Sequence, residues 1–177
     1  MPTEALEPTP EPTSATPAGL PVGRLQGRSL FADLVRQSLA VAAAEAWPQL
    51  VLCDADFTDW PLGDRAVVQA LDAWAKRGRL LQLLARDFGP LRQQHPRFVQ
   101  WRTRWSHRVE ARSVPQAGSE ACPGLIWSSH WTLERLDPER AVVLATRDAQ
   151  QRQMQALRLA QWWAQAQPSF APTTLGL

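Results

Sequence analysis

A strand–helix–glycine–strand succession in the first half of the chain restricts its possible folds more than any other feature. Leu50-Val51-Leu52-Cys53 is a short, wholly apolar segment typical of a buried strand. Asp64 can cap a following helix, Gly78 can end it, and Leu80 to Ala85 is a second apolar strand. Such βαβ units imply parallel strands covered by helices. The succession therefore predicts an α/β fold with a mixed, largely parallel sheet flanked by helices.

The segment before this unit divides into a tail and a helix. Residues Met1 to Gly27 are rich in Pro, Thr, Ala and Gly and have no hydrophobic period, which predicts a disordered tail. Ser29 can cap a helix that runs to about Ala46, and Trp47-Pro48 would end it. We therefore expect a tail over residues 1–27 and one α/β domain over residues 28–177.

The second half of the chain continues the alternation of helices and strands. A helix is expected from Pro90 to Ser106 in spite of Pro96. The remaining predicted elements are a strand from Val109 to Val114, one long strand from Gly124 to Leu136, a turn at Asp137–Arg140, a strand from Ala141 to Ala145 and a helix from Asp148 to Gln165.

Residues within the long predicted strand alternate in polarity. Alternation would place Leu125, Trp127, Trp131 and Leu133 on one face, and Ser128, His130, Thr132 and Glu134 on the other. Two polar side chains at this spacing, His130 and Thr132, could converge on one phosphate. Asp137 follows at the turn, where it could orient a histidine ring or only stabilise the turn.

The pattern His130-x-Thr132-x-x-x-x-Asp137 resembles the H-x-K-x-x-x-x-D motif of the phospholipase D superfamily. The order of elements across residues 29–166 is similar to one half-domain of that family. The resemblance implies that His130 stands at the position of the nucleophile, Asp137 at that of the acidic residue, and Thr132 at that of the phosphate-binding Lys.

The same resemblance implies that the chemistry is incomplete. Family members usually follow the motif with a Gly-Ser pair, which the stretch Leu144-Ala145-Thr146-Arg147 lacks. Loss of one preorganised electrostatic contact commonly costs about 10²–10³ in rate. Active members also use two motif copies, from two halves or from a homodimer, and this chain has one. A degenerate, inactive motif is the expected outcome.

The central segment carries most of the positive charge. From Lys76 to Arg112 there are ten basic residues against two acidic ones, a net charge of +8. Arg97, Arg102, Arg104 and Arg108 are the candidate residues for binding phosphate or nucleic acid. A solvated basic helix face is the alternative. Trp101 and Trp105 lie among these arginines and could stack on bases, although their helical spacing is more typical of a core.

Metal and cofactor sites are not indicated. His95 and His107 have no carboxylate or thiolate at ligand spacing, and the chain has no P-loop, G-x-G-x-x-G or G-x-S-x-G motif. Asp54, Asp56 and Asp59 could bind Mg²⁺, but an acidic turn is the more common reading. We therefore predict no metal and no cofactor.

The cysteines and the apolar runs suggest a compartment. Cys53 and Cys122 do not form a disulfide framework, which favours a reducing cytoplasm. No apolar run reaches about 18 residues, so no membrane span is expected.

Three functions remain open from the sequence. The leading one is a non-catalytic domain that binds a phosphate-bearing ligand, nucleic acid or a protein partner through the basic segment. The second is a weak phosphodiesterase or nuclease that acts as a homodimer with His130 as nucleophile. The third is a pure interaction domain in which the basic helix is merely solvated.

Overall fold

The computed structural model describes residues 19–116 and 121–172. The strands are β1 (Gly23–Gln26), β2 (Gln49–Asp54), β3 (Leu80–Ala85), β4 (Val109–Ser113), β5 (Pro123–Trp127), β6 (Thr132–Asp137), β7 (Val142–Thr146) and β8 (Gln167–Pro168). The helices are α1 (Leu30–Ala44), α2 (Arg65–Ala75), α3 (Gly89–Gln94), α4 (Pro96–Arg104) and α5 (Ala149–Gln165). Short 3₁₀ turns lie at Pro61–Gly63 and Ser106–Arg108.

The strands form one mixed, open sheet in the order β1-β7-β6-β5-β2-β3-β4-β8. Among the described strands, the pairs β2–β3 and β3–β4 are parallel and the other pairs are antiparallel. The α/β class is confirmed, but the expectation of a largely parallel sheet is wrong. Parallel pairing needs a crossover, which the helices supply only in the first half; β5, β6 and β7 are joined by short turns and must run antiparallel.

The two faces of the sheet are covered unequally. In β2, Leu50 and Leu52 belong to the large core beneath α1 to α4, while Val51 and Cys53 face a smaller core that includes Leu159 of α5. A strand buried on both faces has no polar alternation, which explains the continuous apolar run in the sequence.

Gly78 allows the turn between α2 and β3 to pack closely. A Cβ at this position would lie 2.3 Å from Cε2 of Trp74. The indole of Trp74 in turn donates a hydrogen bond to the carbonyl of Trp47, at 2.7 Å. The glycine therefore permits the contact that fixes the end of α2 against the chain entering β2. Asp64 and Ser29 do precede their helices, but neither side chain makes a capping hydrogen bond.

The long strand predicted from Gly124 to Leu136 is in fact a hairpin, β5 and β6, with a turn at residues 128–131. Ser128 stabilises the turn: its Oγ accepts from the backbone N–H of His130 and Trp131 and donates to the carbonyl of Trp131. The turn resets the alternation. Trp127 is paired with Thr132 and shares its face, so the predicted division of faces is wrong on this point.

Two further expectations need correction. The helix predicted from Pro90 to Ser106 is broken at His95, because Pro96 begins a new helix and disfavours helical geometry in the residue before it. The expected tail over residues 1–27 contains β1, which pairs with β7. Residues 1–18 of that tail lie outside the described residues.

In the described part of the chain, no helix is both long and apolar enough to cross a membrane.

Candidate functional site

His130 lies in the turn between β5 and β6, not on a strand. Its ring stacks on the buried indole of Trp47, with 5.5 Å between ring centroids and an angle of 18° between the planes. The residue is exposed, and its backbone N–H donates to Ser128. Within residues 19–116 and 121–172, no carboxylate lies within 4.0 Å of the ring. The imidazole is therefore reachable by solutes but has no acidic partner to orient it.

Thr132 begins β6 and is fully buried, with 0% of its surface exposed. Its neighbours across the sheet are Trp127 and Thr146. Its Oγ1 has no hydrogen-bond partner among the described residues. Thr132 therefore cannot hold a phosphate: the position lacks the cation and is also closed to solvent.

Asp137 is the last residue of the same strand, at the end opposite Thr132. Five residue steps separate it from Thr132, a distance of roughly 15 Å along a strand. Its carboxylate accepts from the backbone N–H of Arg140 at 3.0 Å and lies 3.7 Å from the Arg140 guanidinium. The contacts of Asp137 are therefore those of a residue that stabilises the turn, and its carboxylate lies far from the His130 ring.

The acidic turn after β2 has a structural role. Oδ2 of Asp54 accepts from the backbone N–H of Phe57 at 2.8 Å, and Asp56 accepts from Thr58 at 2.9 Å. Asp59 pairs with Arg135 at 3.1 Å. Burial raises the pKa of Asp54, and the Phe57 N–H and the charge of Arg135 partly oppose that shift.

No group of three or more potential metal ligands is present among residues 19–116 and 121–172. His95 is buried and its Nε2 lies 3.0 Å from the Phe57 carbonyl oxygen, while His107 lies against Trp105 in the 3₁₀ turn that follows α4. Both histidines therefore have local structural contacts.

The four candidate arginines do not form one surface. Arg97 and Arg104 are exposed on one side of α4, facing α2. Arg102 lies on another side of the helix and is only 4% exposed. Arg108 is half-buried in the following 3₁₀ turn. The helical period separates residues that the sequence places within a few positions of one another.

A groove of about 650 Å³ runs between α2 and α4. Its exposed basic residues are Arg65 and Lys76 from the α2 side and Arg97 and Arg104 from α4. Asp72 is its one acidic lining residue; it lies 3.7 Å from Arg104 and accepts a hydrogen bond from Trp105 at 2.8 Å. The lining charge is therefore four positive against one negative. We name this surface, defined by Arg65, Lys76, Arg97 and Arg104, the basic groove.

Sequence reasoning missed the α2 side of the basic groove. Arg65, Gln69, Asp72 and Lys76 follow one another at intervals of four, three and four residues, which is one face of a helix. Arg97, Gln100 and Arg104 have intervals of three and four. This spacing places Arg97 and Arg104 on one face of α4 and Arg102 on another.

The aromatic residues near the groove contribute little exposed ring surface. Trp101 is 4% exposed and stacks on Phe98 within the core. Trp105 is partly buried, and its indole is held by Asp72. Stacking of bases on Trp101 is therefore excluded in this conformation, and its helical spacing does reflect a core position.

Comparisons by sequence found no relative: no protein-family model and no curated protein matches the chain. Comparison by structure did. TrmBL2, an archaeal chromatin protein whose structure is described as showing a novel mode of DNA binding, superposes with a TM-score of 0.61 at 13% identity. The match covers 83% of this chain and 53% of TrmBL2, so the chain spans about half the length of that protein.

NucT from Helicobacter pylori superposes with a TM-score of 0.56 at 12% identity, over 83% of this chain and 98% of NucT. Identities this low show a shared fold and no more. The chain thus has the open, mixed α/β sheet with flanking helices that is also found in TrmBL2 and NucT.

Proposed function

We propose that this protein is a non-catalytic, phospholipase D-like domain that binds nucleic acid through the basic groove. The observation that carries the proposal is the convergence of Arg65, Lys76, Arg97 and Arg104 on one open groove between α2 and α4. Clustered exposed cations supply the sequence-independent part of nucleic-acid affinity, because they displace counterions from the phosphates. The DNA binding described for TrmBL2, which shares the fold, is consistent with such a partner.

The surroundings of His130 support the non-catalytic part of the proposal. The ring has no acidic partner among the described residues, and Thr132, at the position of the motif lysine, is fully buried. General-base or nucleophilic use of a histidine requires an oriented ring and a stabilised phosphoryl charge. Neither requirement is met by the described residues around the turn.

The groove favours contacts with the nucleic-acid backbone over contacts with bases. Its polar side chains are mostly cationic, and Trp101 is buried, so a base has no exposed ring there to stack on. Arginine and lysine contacts to phosphates fix position but carry no sequence information. We therefore expect binding that depends weakly on sequence and strongly on salt.

Fluorescence anisotropy with a labelled DNA duplex, titrated at several salt concentrations, tests the proposal. Log K should fall linearly with log salt for the wild type, and Arg97→Gln and Arg104→Gln should each reduce the slope by about 1. Arg140→Gln is the matched control: it removes the same charge from a residue that is 82% exposed at the Asp137 turn, away from the groove.

Absence of salt-dependent binding by the wild type would refute the proposal. An effect of Arg140→Gln as large as that of Arg104→Gln would also count against it, because it would mean that net charge alone, rather than the groove, drives binding. Single-stranded DNA and RNA of the same sequence, titrated in parallel, identify the preferred form of nucleic acid.

A further inference from the structure

Arg102 carries a buried positive charge that has no anionic partner within residues 19–116 and 121–172. The residue is 4% exposed, and its Nε and Nη1 have no hydrogen-bond partner among the described residues. No carboxylate of the described chain lies within 4.0 Å of its guanidinium. A buried, unpaired charge is strongly unfavourable, and an arginine does not escape the cost by losing its proton. The position therefore calls for an anion from outside the described chain.

The aromatic contact of Arg102 does not replace such an anion. The guanidinium carbon lies 5.7 Å from the centre of the Phe170 ring, and the Arg92 guanidinium lies 5.1 Å from the same ring. The Phe170 ring is itself stacked on Phe88. A ring face attracts a cation but accepts few of its N–H groups, and here it is shared by two cations. The second cation adds repulsion that an anion would relieve.

Arg102 lines a cavity of about 400 Å³ at the edge of β4. The cavity is open there because β8 pairs with Arg112 and Ser113, so that in the described chain the first part of β4 has a strand neighbour on the β3 side but none on the β8 side. Arg112 and Glu110 also line the cavity, but the Arg112 guanidinium donates to the Trp163 carbonyl at 3.3 Å and lies over the Trp163 ring of α5. Arg102 is therefore the cation of this cavity whose N–H groups lack partners among the described residues. Ser169 adds a hydroxyl, and Val109 and Pro168 add apolar surface.

We propose that this cavity binds a small ligand bearing one oxyanion, a phosphate or a carboxylate, through Arg102. The one buried guanidinium of Arg102, whose Nε and Nη1 have no partner among the described residues, matches one oxyanion. The planar N–H fork of arginine suits both phosphate and carboxylate oxygens. The apolar wall takes the uncharged part of the ligand.

This site is separate from the basic groove. Arg102 and Arg104 are two residues apart on α4, yet they line different cavities. The cavity therefore adds a small-molecule site to the proposed nucleic-acid surface, and each can be disabled without touching the other. A variant at Arg102 and a variant at Arg104 form a matched pair.

Calorimetric titration and thermal shift with three probes test the proposal: inorganic phosphate, adenosine 5′-monophosphate and benzoate, each against sodium chloride of equal ionic strength. The wild type and Arg104→Met should bind at least one probe with equal affinity. Arg102→Met should bind it roughly 10- to 100-fold more weakly, since it removes charge-assisted hydrogen bonds. In chloride alone, Arg102→Met should be at least as thermostable as the wild type, because it removes a desolvated charge.

Failure of every probe to bind the wild type would overturn the proposal, as would equal losses in Arg102→Met and Arg104→Met. Binding of benzoate alone assigns the site to a carboxylate; binding of phosphate or the nucleotide alone assigns it to a phosphate. Arg102→Lys is the second variant if Arg102→Met does not fold: it keeps the charge but loses the planar N–H fork, and it should weaken binding several-fold. The DNA titration of Arg102→Met should match that of the wild type, so failure here leaves the proposed nucleic-acid function untouched.

Discussion

Thr132 shows how burial limits what the side chain at a motif position can do. A motif comparison locates it where a cationic side chain would be needed and suggests that restoring a lysine restores the function. The structure gives the residue no exposed surface and no partner for its hydroxyl within the described chain. The position is packed into the sheet, so a lysine placed there would bury an unpaired ammonium group.

Substitutions at Thr132 test whether the burial of this position, or only the absence of a lysine, limits what it can do. Thr132→Val removes a buried hydroxyl that has no partner and should raise the free energy of unfolding by up to about 1 kcal/mol. Thr132→Lys buries an unpaired ammonium group and should lower it by at least about 3 kcal/mol, without hydrolysis of a chromogenic phosphodiester. Urea unfolding of both variants and a turnover assay measure these effects. Turnover in a folded Thr132→Lys would contradict the buried position.

Asp54 should make the stability of the fold depend on pH. Burial raises its pKa above the ordinary value of 3.8, so its ionised form is disfavoured in the folded state. The fold therefore carries no penalty from this group below about pH 4 and loses stability as the pH rises through the raised pKa. Asp54→Asn stays neutral, so its melting temperature relative to the wild type should increase from about pH 4 to about pH 7.

The exposed Asp87 provides the control for Asp54, because it too accepts a hydrogen bond from a backbone N–H two residues later. Melting curves of Asp54→Asn and Asp87→Asn across that pH range give the comparison. A difference between Asp54→Asn and the wild type that does not change with pH, or that Asp87→Asn reproduces, would show that Asp54 is not the cause.

At the level of elements, α5 is the helix that packs on the second face of the sheet, opposite α1 to α4. Its buried apolar residue is Leu159, which belongs to one cluster with Val51, Cys53 and Leu125. Trp162 and Trp163 of α5 are partly buried against the same cluster. Two residues earlier, Leu157 is 57% exposed. A helix that covers a sheet face largely alone depends on few core residues, so the energetic effect of each should be large.

Truncation of the two leucines should therefore change the free energy of unfolding by very different amounts. Leu159→Ala should lower the free energy of unfolding by about 2–5 kcal/mol, because it leaves a cavity between α5 and the sheet. Leu157→Ala should change it by less than about 0.5 kcal/mol. Chemical denaturation followed by tryptophan fluorescence compares them. Equal effects of the two would mean that α5 does not pack on the sheet as described.

For the molecule as a whole, the segment before α1 completes the fold. β1 is an edge strand of the sheet and pairs with β7, Leu20 is buried, and the Pro21 carbonyl accepts a hydrogen bond from the Trp131 indole at 2.8 Å. The Trp131 side chain lies next to the His130 turn. Residues 19–27, which sequence composition assigns to the tail, thus form one edge of the sheet and cover one side of the core.

Two shortened chains test this contribution. A chain that begins at residue 28 loses β1 and the burial of Leu20, which alone contributes about 2–3 kcal/mol, and should be markedly less stable. A chain that begins at residue 19 retains these contacts and is the control. Their melting temperatures, measured under one set of conditions, should differ by several degrees. Equal melting temperatures would show that β1 contributes nothing to the fold.

The local parts of this architecture follow from local signals. Burial of β2 on both faces produces the apolar run at residues 50–53. The helical period of α2 produces the stripe of Val67, Leu71 and Trp74, and close packing at the turn to β3 requires Gly78. Ser128 also acts locally, because its side chain hydrogen-bonds to the backbone of His130 and Trp131. A serine in this role favours a turn, but the alternation of polar and apolar residues favoured a continuous strand.

By itself, the sequence determined the α/β class, the βαβ unit and the excess of positive charge in the central segment. Only the tertiary structure decided the mainly antiparallel order of the sheet, the burial of Thr132, and the division of the arginines into the basic groove and the Arg102 cavity. The physical reason is the distance along the sequence over which each feature is determined. Helix period and strand burial depend on residues a few positions apart, whereas pairing partners and the accessibility of a side chain depend on segments that meet only after the chain has folded.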